Sequence, residues 1–387
     1  MSGGVDSSVV AHLLKAQGLD VFGIHMQNWD EEEERGVHVG PGHCSSAQDL
    51  LDVRATCDRI GMELHQVKFV REYWNEVFEP LVQGYMDGVT PNPDVACNRE
   101  IKFKVLLEHA RALGAARLAT GHYARLDHTG GTTKLIQAVD PAKDQTYFLS
   151  SVPAEALRHA MFPLGGLHKS EVREVAIKAN LPTAKKRESM GICFVGKRDF
   201  GDFISEYIPA GHRRGQFVSV DGQVLGEHKG AYLYTPGQGA KIGGAQGKWF
   251  VAGKAGRDVL VALGTHHPAL FSDHVLIGEA SWVSGSPPVE LTQGGVVRCE
   301  CRLRHQQPLV ACEVSLATPA DLASIREQSH AQSHEQRKEQ DHAQGREKSH
   351  EKSHKQSREK SHVQGQNENR EQGRGATHGG GDAGEGR

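Results

Sequence analysis

The chain has 387 residues, enough for two or three domains that each bury a core. Apolar residues make up only 37% and glycine is high at 45, so part of the chain is not core-forming. The formal net charge of −3 gives no global basic bias, which speaks against a nucleic-acid partner held by overall charge but leaves a local basic patch open.

The first element is a loop and a helix. "MSGGVDSS" runs into "VVAHLLKAQG", a helix that Gly18 ends. Gly3 and Gly4 permit a tight turn and a close backbone approach to a ligand. The first amides of the helix point outward at the positive end of its dipole, and Ser2, Ser7 and Ser8 add hydroxyl donors. An anion site and an ordinary capped helix with a flexible start fit these residues equally well. No Gly-Lys-Ser/Thr follows, so this is not a Walker A loop.

Strands and helices then alternate: "DVFGIHM", "DLLDVRATCDRIG", "ELHQVKFV", "EYWNEVFEPLVQGYM", "FKVLLEHARALG" and "ARLATGHYA". This predicts an α/β domain with a parallel sheet covered on both faces. "SEVREVAIKANLP" is a further helix with Ser170 as its expected N-cap. From about residue 206 to 320 short strands ("GQFVSV", "KWFVAGK", "DVLVALG", "VVRCECRLR", "LVACEVSL") separated by Gly, Pro and Asp read as small β domains. Beyond Arg326 the chain turns to Gln, Glu, His, Lys, Arg and Ser, with Val363 the only strongly apolar residue up to Arg374. Such a segment is expected to be a disordered polar tail, with metal capture by its spaced histidines as the sharper alternative. No apolar run is long enough to span a membrane, and no signal or transit peptide stands ahead of Ser2.

Seven scattered cysteines without a CxxC pair fit a reducing compartment rather than a disulfide framework. Two of them, Cys97 in "TPNPDVACNREIKFK" and Cys193 in "ESMGICFVGKRDF", are read as lying in polar turns flanked by Arg99, Lys102, Lys197 and Arg198. Nearby cations favour a thiolate, although a lone cysteine is more often a buried, inert thiol.

"SGGVDSS" resembles the pyrophosphate loop of N-type ATP pyrophosphatases. Together with "NWD", "TPNPD", "ATGHYAR", "KDQTYFLS", "FPLGGL", "ESMGICFVGKR" and "THHPALFSD", it makes the chain similar to the tRNA-specific 2-thiouridylases, most of all the mitochondrial type. The resemblance runs from Ser2 to about Cys312. It implies a Rossmann-like ATP pyrophosphatase catalytic domain at 1–205, a β-rich tRNA-binding domain at 206–268, an incomplete C-terminal β-barrel at 269–320 and the tail at 321–387.

The implied activity is ATP-dependent 2-thiolation of the tRNA wobble uridine: ATP adenylates O2, and a persulfide sulfur replaces it. By the same resemblance Cys193 carries the persulfide delivered by a donor protein. Cys97 either attacks it to free hydrosulfide or resolves it as Cys193 attacks the base, and a Cys97–Cys193 disulfide closes the cycle. Asp94 would act as acid or base, against the simpler reading of a turn residue after Pro93. Ser2, Gly3, Gly4, Val5, Asp6 and Ser7 would hold phosphate, with Asp6 helping to manage Mg²⁺, and Met26 and Gly121 would border the adenine. Asn92, Pro93 and Asp94 would face the flipped base. His122, Lys143, Asp144, Gln145, Arg304 and His305 would contact tRNA of the Lys, Glu or Gln type. A monomer without membrane contact, placed by the resemblance in mitochondria and otherwise in the cytoplasm, completes the expectation; no residues are assigned as resident metal ligands.

The sequence departs from the family's pattern at three places. Met1 stands directly before Ser2, so the central strand expected ahead of the loop is missing. Gly239 stands where the family usually shows Arg, and the barrel ends after about Leu316. A catalytically impaired tRNA-binding relative or truncated form, and an ATP pyrophosphatase acting on a small metabolite, are therefore the alternative readings.

Overall fold

The structure is a computed structural model and describes residues 1–30, 45–187, 195, 198–212, 214–278, 280–319 and 321. One compact unit spans Met1–Ala317. Of the second unit, Thr318–Arg387, the described part is a turn in which Thr318 N donates to Asp321 Oδ2 at 2.8 Å. The expected polar tail otherwise lies outside the described residues.

The N-terminal region alternates helix and strand because its apolar residues do. Helix α1 (Val5–Ala16) buries Val5, Val9, Val10 and Leu14, and Gly18 at φ +77° lies just beyond its end. Strand β1 (Gly23–Gln27) runs parallel to β2 (Leu64–Lys68), Gly23 opposite Leu64, with helix α2 (Ser45–Ile60) between them in the chain. Helix α3 passes through Val70–Tyr73, a π-helical stretch Trp74–Phe78 and Glu79–Met86. Helix α4 likewise runs through Pro93–Ala96, a π-helical stretch Cys97–Leu106 and Leu107–Ala112. Strand β3 (Leu118–Ala119) precedes a hairpin of β4 (Ala124–Asp127) and β5 (Lys134–Gln137), and pairs in parallel with β6 (Ala160–Met161).

The parallel sheet is thus in two pieces, β1–β2 and β3–β6, with no ladder between them among the described residues. Met1 lies directly before the glycine loop. Its amino group donates to Ile24 O at 2.5 Å, and its carbonyl lies 3.0 Å from His25 Nδ1.

Helix α5 (Lys169–Lys178) begins earlier than the expected Ser170 cap. His168 is the N-cap, and its backbone N–H donates to Glu171 Oε2 at 2.7 Å in a capping box. Ser170 would have Arg173 at the matching place, and a guanidinium cannot accept that bond. Val172 and Ala176 of α5 pack into one apolar cluster with Val5, Val9 and Val10 of α1. Each fully buried valine is worth roughly 1.5–3 kcal/mol, so this contact fixes the two helix N-termini relative to each other.

Helix α6 (Phe200–Tyr207), capped by Asp199, leads to the β-rich part. Strands β7 (Gly215–Ser219), β8 (Val224–His228), β9 (Gly239–Ala240), β10 (Trp249–Ala255) and β11 (Asp258–Leu263) form one sheet in the order β8-β7-β11-β10-β9. Phe217, Val251, Val259 and Val261 are its core. Strands β12 (Val296–Cys301) and β13 (Val310–Ser315) pair antiparallel, and among the described residues only with each other. The C-terminal barrel is an open hairpin there, and Val296, Val310 and Leu316 are exposed.

Candidate active site

The glycine turn has the form of an anion cradle. Gly3 sits at φ +73°, and a Cβ there would lie 2.6 Å from the Asp49 carbonyl oxygen, so no other residue fits without displacement. Gly4 is the N-cap of α1 and carries no side-chain cap, which leaves the first-turn amides of Val5, Asp6 and Ser7 for a ligand. The Ser2 backbone N–H donates to Ser7 Oγ at 3.2 Å, and Ser7 Oγ donates to Gly4 O at 3.2 Å. The serine hydroxyls therefore shape the turn. Val5 is 5% exposed and packs in the core, so its contribution to the cradle is its amide.

Asp6 is held by two residues that the sequence reading did not single out. Lys169 Nζ donates to both carboxylate oxygens, at 2.7 and 2.8 Å, and Tyr123 Oη donates to one of them at 3.0 Å. Lys169 stands at the first position of α5, where its own backbone N–H donates to Asp140 Oδ2 at 3.0 Å. That bond, against some burial and with help from the Ala142 amide, holds the Asp140 carboxyl below its ordinary range. Both "FPLGGLHKS" and "ATGHYAR" were legible as motifs, and the spacing to Asp6 is what folding supplies.

Gly121 lies against this turn: a Cβ would meet Asp6 Cβ at 3.0 Å and the Ser7 backbone nitrogen at 3.2 Å. It flanks the glycine turn directly. Met26, half-buried on β1, packs on the main core. Behind the turn, Lys186 donates to Asp49 Oδ1 at 2.7 Å and also bonds Asp52. Burial works against its charge, but the two carboxylates outweigh it and raise the Lys186 pKa.

Asn92 caps helix α4 through Oδ1, which accepts from the backbone N–H groups of Asp94 at 3.1 Å and Val95 at 3.3 Å. Pro93 is buried at the first helical position, which leaves exposed Asn92 and Asp94 to face outward. Cys97 differs from the expected polar turn. It opens the π-helical stretch of α4 and is buried at 5% exposure among apolar neighbours, because the turn predicted from "TPNPD" becomes a Pro-started helix. Cys193 lies outside the described residues.

The expected tRNA contacts divide into buried and accessible groups. His122 is buried, stands 2.8 Å from Thr120 Oγ1 through Nδ1, and packs its ring against Phe103 and Phe162. Burial, and then the Lys102 charge, push its pKa well below the ordinary value, so it is a neutral interior ring. Asp144 is also buried: Oδ2 accepts from the Ala138 N–H at 2.8 Å and Oδ1 from Thr146 Oγ1 at 2.6 Å. Gln145 Oε1 accepts from the Tyr123 N–H at 3.0 Å. These three side chains hold the frame, and reach to a surface ligand is closed to the first two by burial. Lys143 is half-buried beside them.

Arg304 bonds the Pro236 carbonyl, and His305 packs on Phe148 with ring centroids 4.6 Å apart. Between α4 and the β12–β13 turn opens a cleft of about 450 Å³, lined by Asn92, Ala96, Arg99, Tyr147, Arg302 and Leu303. Arg302 stands 3.9 Å from Asp144. Arg302 Nε and His305 Nδ1 are buried without a hydrogen-bond partner among the described residues. Arg302 and Tyr147 are further residues the sequence reading did not assign, whereas Arg99 was read there only as a cation flanking Cys97. Gly239, on β9, is exposed.

Three family models match successive parts of the chain. One described as tRNA methyl transferase HUP domain covers residues 1–197, one described as tRNA methyl transferase PRC-barrel domain covers 201–264, and one described as aminomethyltransferase beta-barrel domain covers 272–332. The chain is 48% identical over 314 residues to the tRNA-specific 2-thiouridylase MnmA of Alkaliphilus oremlandii, which spans 80% of this chain and 83% of that protein. To the protein of the same name from Staphylococcus epidermidis it is 47% identical over 312 residues, 79% of this chain and 81% of the relative. To that of Bacillus subtilis it is 46% identical over 311 residues, again 79% and 81%.

Proposed function

The chain belongs to the tRNA-specific 2-thiouridylase family, and from that premise we propose that it catalyses ATP-dependent 2-thiolation of a tRNA uridine, at the wobble position. The observation that carries this reading is the glycine turn at the uncapped start of α1, with Asp6 gripped by Lys169 and Tyr123. The amides of residues 5–7 and the Ser2 and Ser7 hydroxyls would hold the phosphates, Gly121 would allow close approach, and Asp6 would take Mg²⁺. Mg²⁺ supplies charge neutralisation at the phosphates when bound. ATP activates the uridine O2 as a leaving group.

The sulfur path uses Cys193 as persulfide carrier, loaded by a donor protein, and Cys97 as its thiol partner, with Asp94 moving a proton one turn away on α4. The cleft beside Asn92 and Asp94 would admit the flipped base, and Arg302, Arg304 and His305 would hold the surrounding tRNA. Lys143 completes that surface. We divide the chain at residues 205, 268 and 320 and take it as a monomer acting on tRNAs of the Lys, Glu and Gln type. Among the described residues no helix is long and apolar enough to cross a membrane. The relatives named above are bacterial. The mitochondrial placement therefore rests on motif resemblance alone and is tested by fractionating cells that express a tagged chain. No match named above favours the small-metabolite reading.

The activity is tested by supplying ATP and unmodified tRNA and measuring AMP and pyrophosphate. Release that requires a tRNA carrying the target uridine supports the proposal. ATP turnover indifferent to that uridine contradicts it.

A further inference from the structure

The β12–β13 hairpin carries three cysteines that the sulfur path above does not use. Cys299 stands directly opposite Cys312, and Cys301 opposite Val310. Residues two apart on a strand share a face, so Cys299, Cys301 and Cys312 lie together with Val297, Val310 and Val314. The other face is polar, with Arg298 Nε donating to Glu313 Oε1 at 2.9 Å. The Cys299 and Cys312 sulfurs are 3.5 Å apart. Cys299 is exposed, and Cys301 and Cys312 are half-buried. Among the described residues no group of three or more His, Cys, Asp or Glu is placed to hold a metal ion.

We infer that Cys299 and Cys312 form a thiol–disulfide exchange site that takes small disulfides of the glutathione class. Opposed residues of an antiparallel pair have Cα atoms about 4.5 or 5.5 Å apart, and both values fall within the range of about 4.4–6.8 Å that a disulfide spans. The strands need not shift register; side-chain rotation closes the gap. Exposed Cys299 is the thiol a small disulfide reaches first. Its thiolate attacks one sulfur of the disulfide, forming a mixed disulfide and expelling one thiolate. Cys312 then attacks the Cys299 sulfur and expels the second. The hairpin pair loses two electrons and two protons, and the small disulfide leaves as two thiols. The Cys299 thiol beside Cys312, and the Cys312 thiol beside Cys301, push the pKa values of Cys312 and Cys301 up. An exposed hairpin bond of this kind is of the labile, reversible class. The site stands whether or not the chain thiolates tRNA.

The test incubates the full chain in glutathione buffers of rising disulfide content, quenches with acid and an alkylating agent, and digests with trypsin. Cleavage after Arg298, Arg302 and Arg304 puts Cys299 in the peptide 299–302 and Cys312 in the peptide 305–326. The expected product is these two peptides joined, two hydrogens lighter than their sum, with fragmentation placing the bond on Cys299. It persists in Cys301→Ser, is lost in Cys312→Ser, and disappears again on return to reduced glutathione. A wild-type chain that accumulates only a glutathione adduct on Cys299, or joins Cys301 to Cys312, or stays unreactive at the most oxidising ratio overturns the inference.

Discussion

Lys169 Nζ lies 2.7 Å from one carboxylate oxygen of Asp6 and 2.8 Å from the other, which joins the start of α5 to the first turn of α1. The Lys169 side chain is 11% exposed and that of Asp6 33%, so the pair is only partly screened by solvent. A cation and a carboxylate meeting at the mouth of a helix N-terminus are suited to manage phosphate and metal charge.

Removing either side of this pair is expected to impair both ATP use and stability. Lys169→Gln and Asp6→Asn should each lower the tRNA-dependent kcat/KM for ATP at least tenfold. The loss of a charged hydrogen bond should cost about 1.5–3 kcal/mol of stability. Steady-state pyrophosphate release and urea unfolding measure the two effects separately. An unchanged KM and kcat in both variants would remove Asp6 from the nucleotide site.

Gly3→Ala tests the turn itself. The left-handed backbone costs a non-glycine residue roughly 1–2 kcal/mol, and the added methyl would fall 2.6 Å from the Asp49 carbonyl oxygen. The expected outcome is a weakened ATP affinity, read by equilibrium binding, with a chain that remains folded by circular dichroism. Gly4→Ala is the control. Its φ is −91° and the nearest atom to a new Cβ is the Ser2 hydroxyl at 3.6 Å, so the backbone should tolerate it.

Buried His122 gives a pH dependence with a definite sign. Its folded pKa lies well below the unfolded value of about 6.5, so below that pH the unfolded chain binds the proton and the folded chain does not. Stability is therefore full above about pH 7 and falls as pH drops below about 6.5, by up to about 1.4 kcal/mol per pH unit for this group. Burial lowers the pKa of His25 and His228 in the same direction. His122→Asn should flatten the slope of unfolding free energy between pH 7 and pH 5, as measured by denaturant titration at each pH, by about one proton.

Arg302 is predicted to meet tRNA at the cleft. Arg302→Gln should weaken tRNA binding and reduce the slope of log affinity against log salt by about 0.7–0.9, the value for one phosphate contact. Filter binding at a series of salt concentrations measures it. Weaker binding with an unchanged slope would assign Arg302 to holding Asp144 in place rather than to the nucleic acid.

Much of the fold was legible because period-2 and period-3.6 patterns coincide with the elements: "GQFVSV" contains β7, and "DVLVALG" contains β11. The glycine turn was legible because few residues other than glycine tolerate its backbone. The rest depended on distances that a linear pattern does not encode. Lys169 and Tyr123 reach Asp6 only once α5 has packed on α1. His122 and Asp144 read as surface polar residues, yet hydrogen bonds to Thr120 and to the Ala138 amide let the interior take them. The environment of Cys97 was misread for a related reason: Pro93 starts a helix, and the next turn carries the thiol inward.

Sulfur transfer to tRNA is the step on which the account stands. The full chain, ATP, Mg²⁺, a persulfide donor and unmodified tRNA are combined, and the product is run on a gel that contains immobilised mercury. The prediction is a retarded tRNA band that requires ATP and is lost in Cys193→Ala and in Cys97→Ala. Retardation that persists in Cys193→Ala, or tRNA that is bound with high affinity and never retarded, would contradict it.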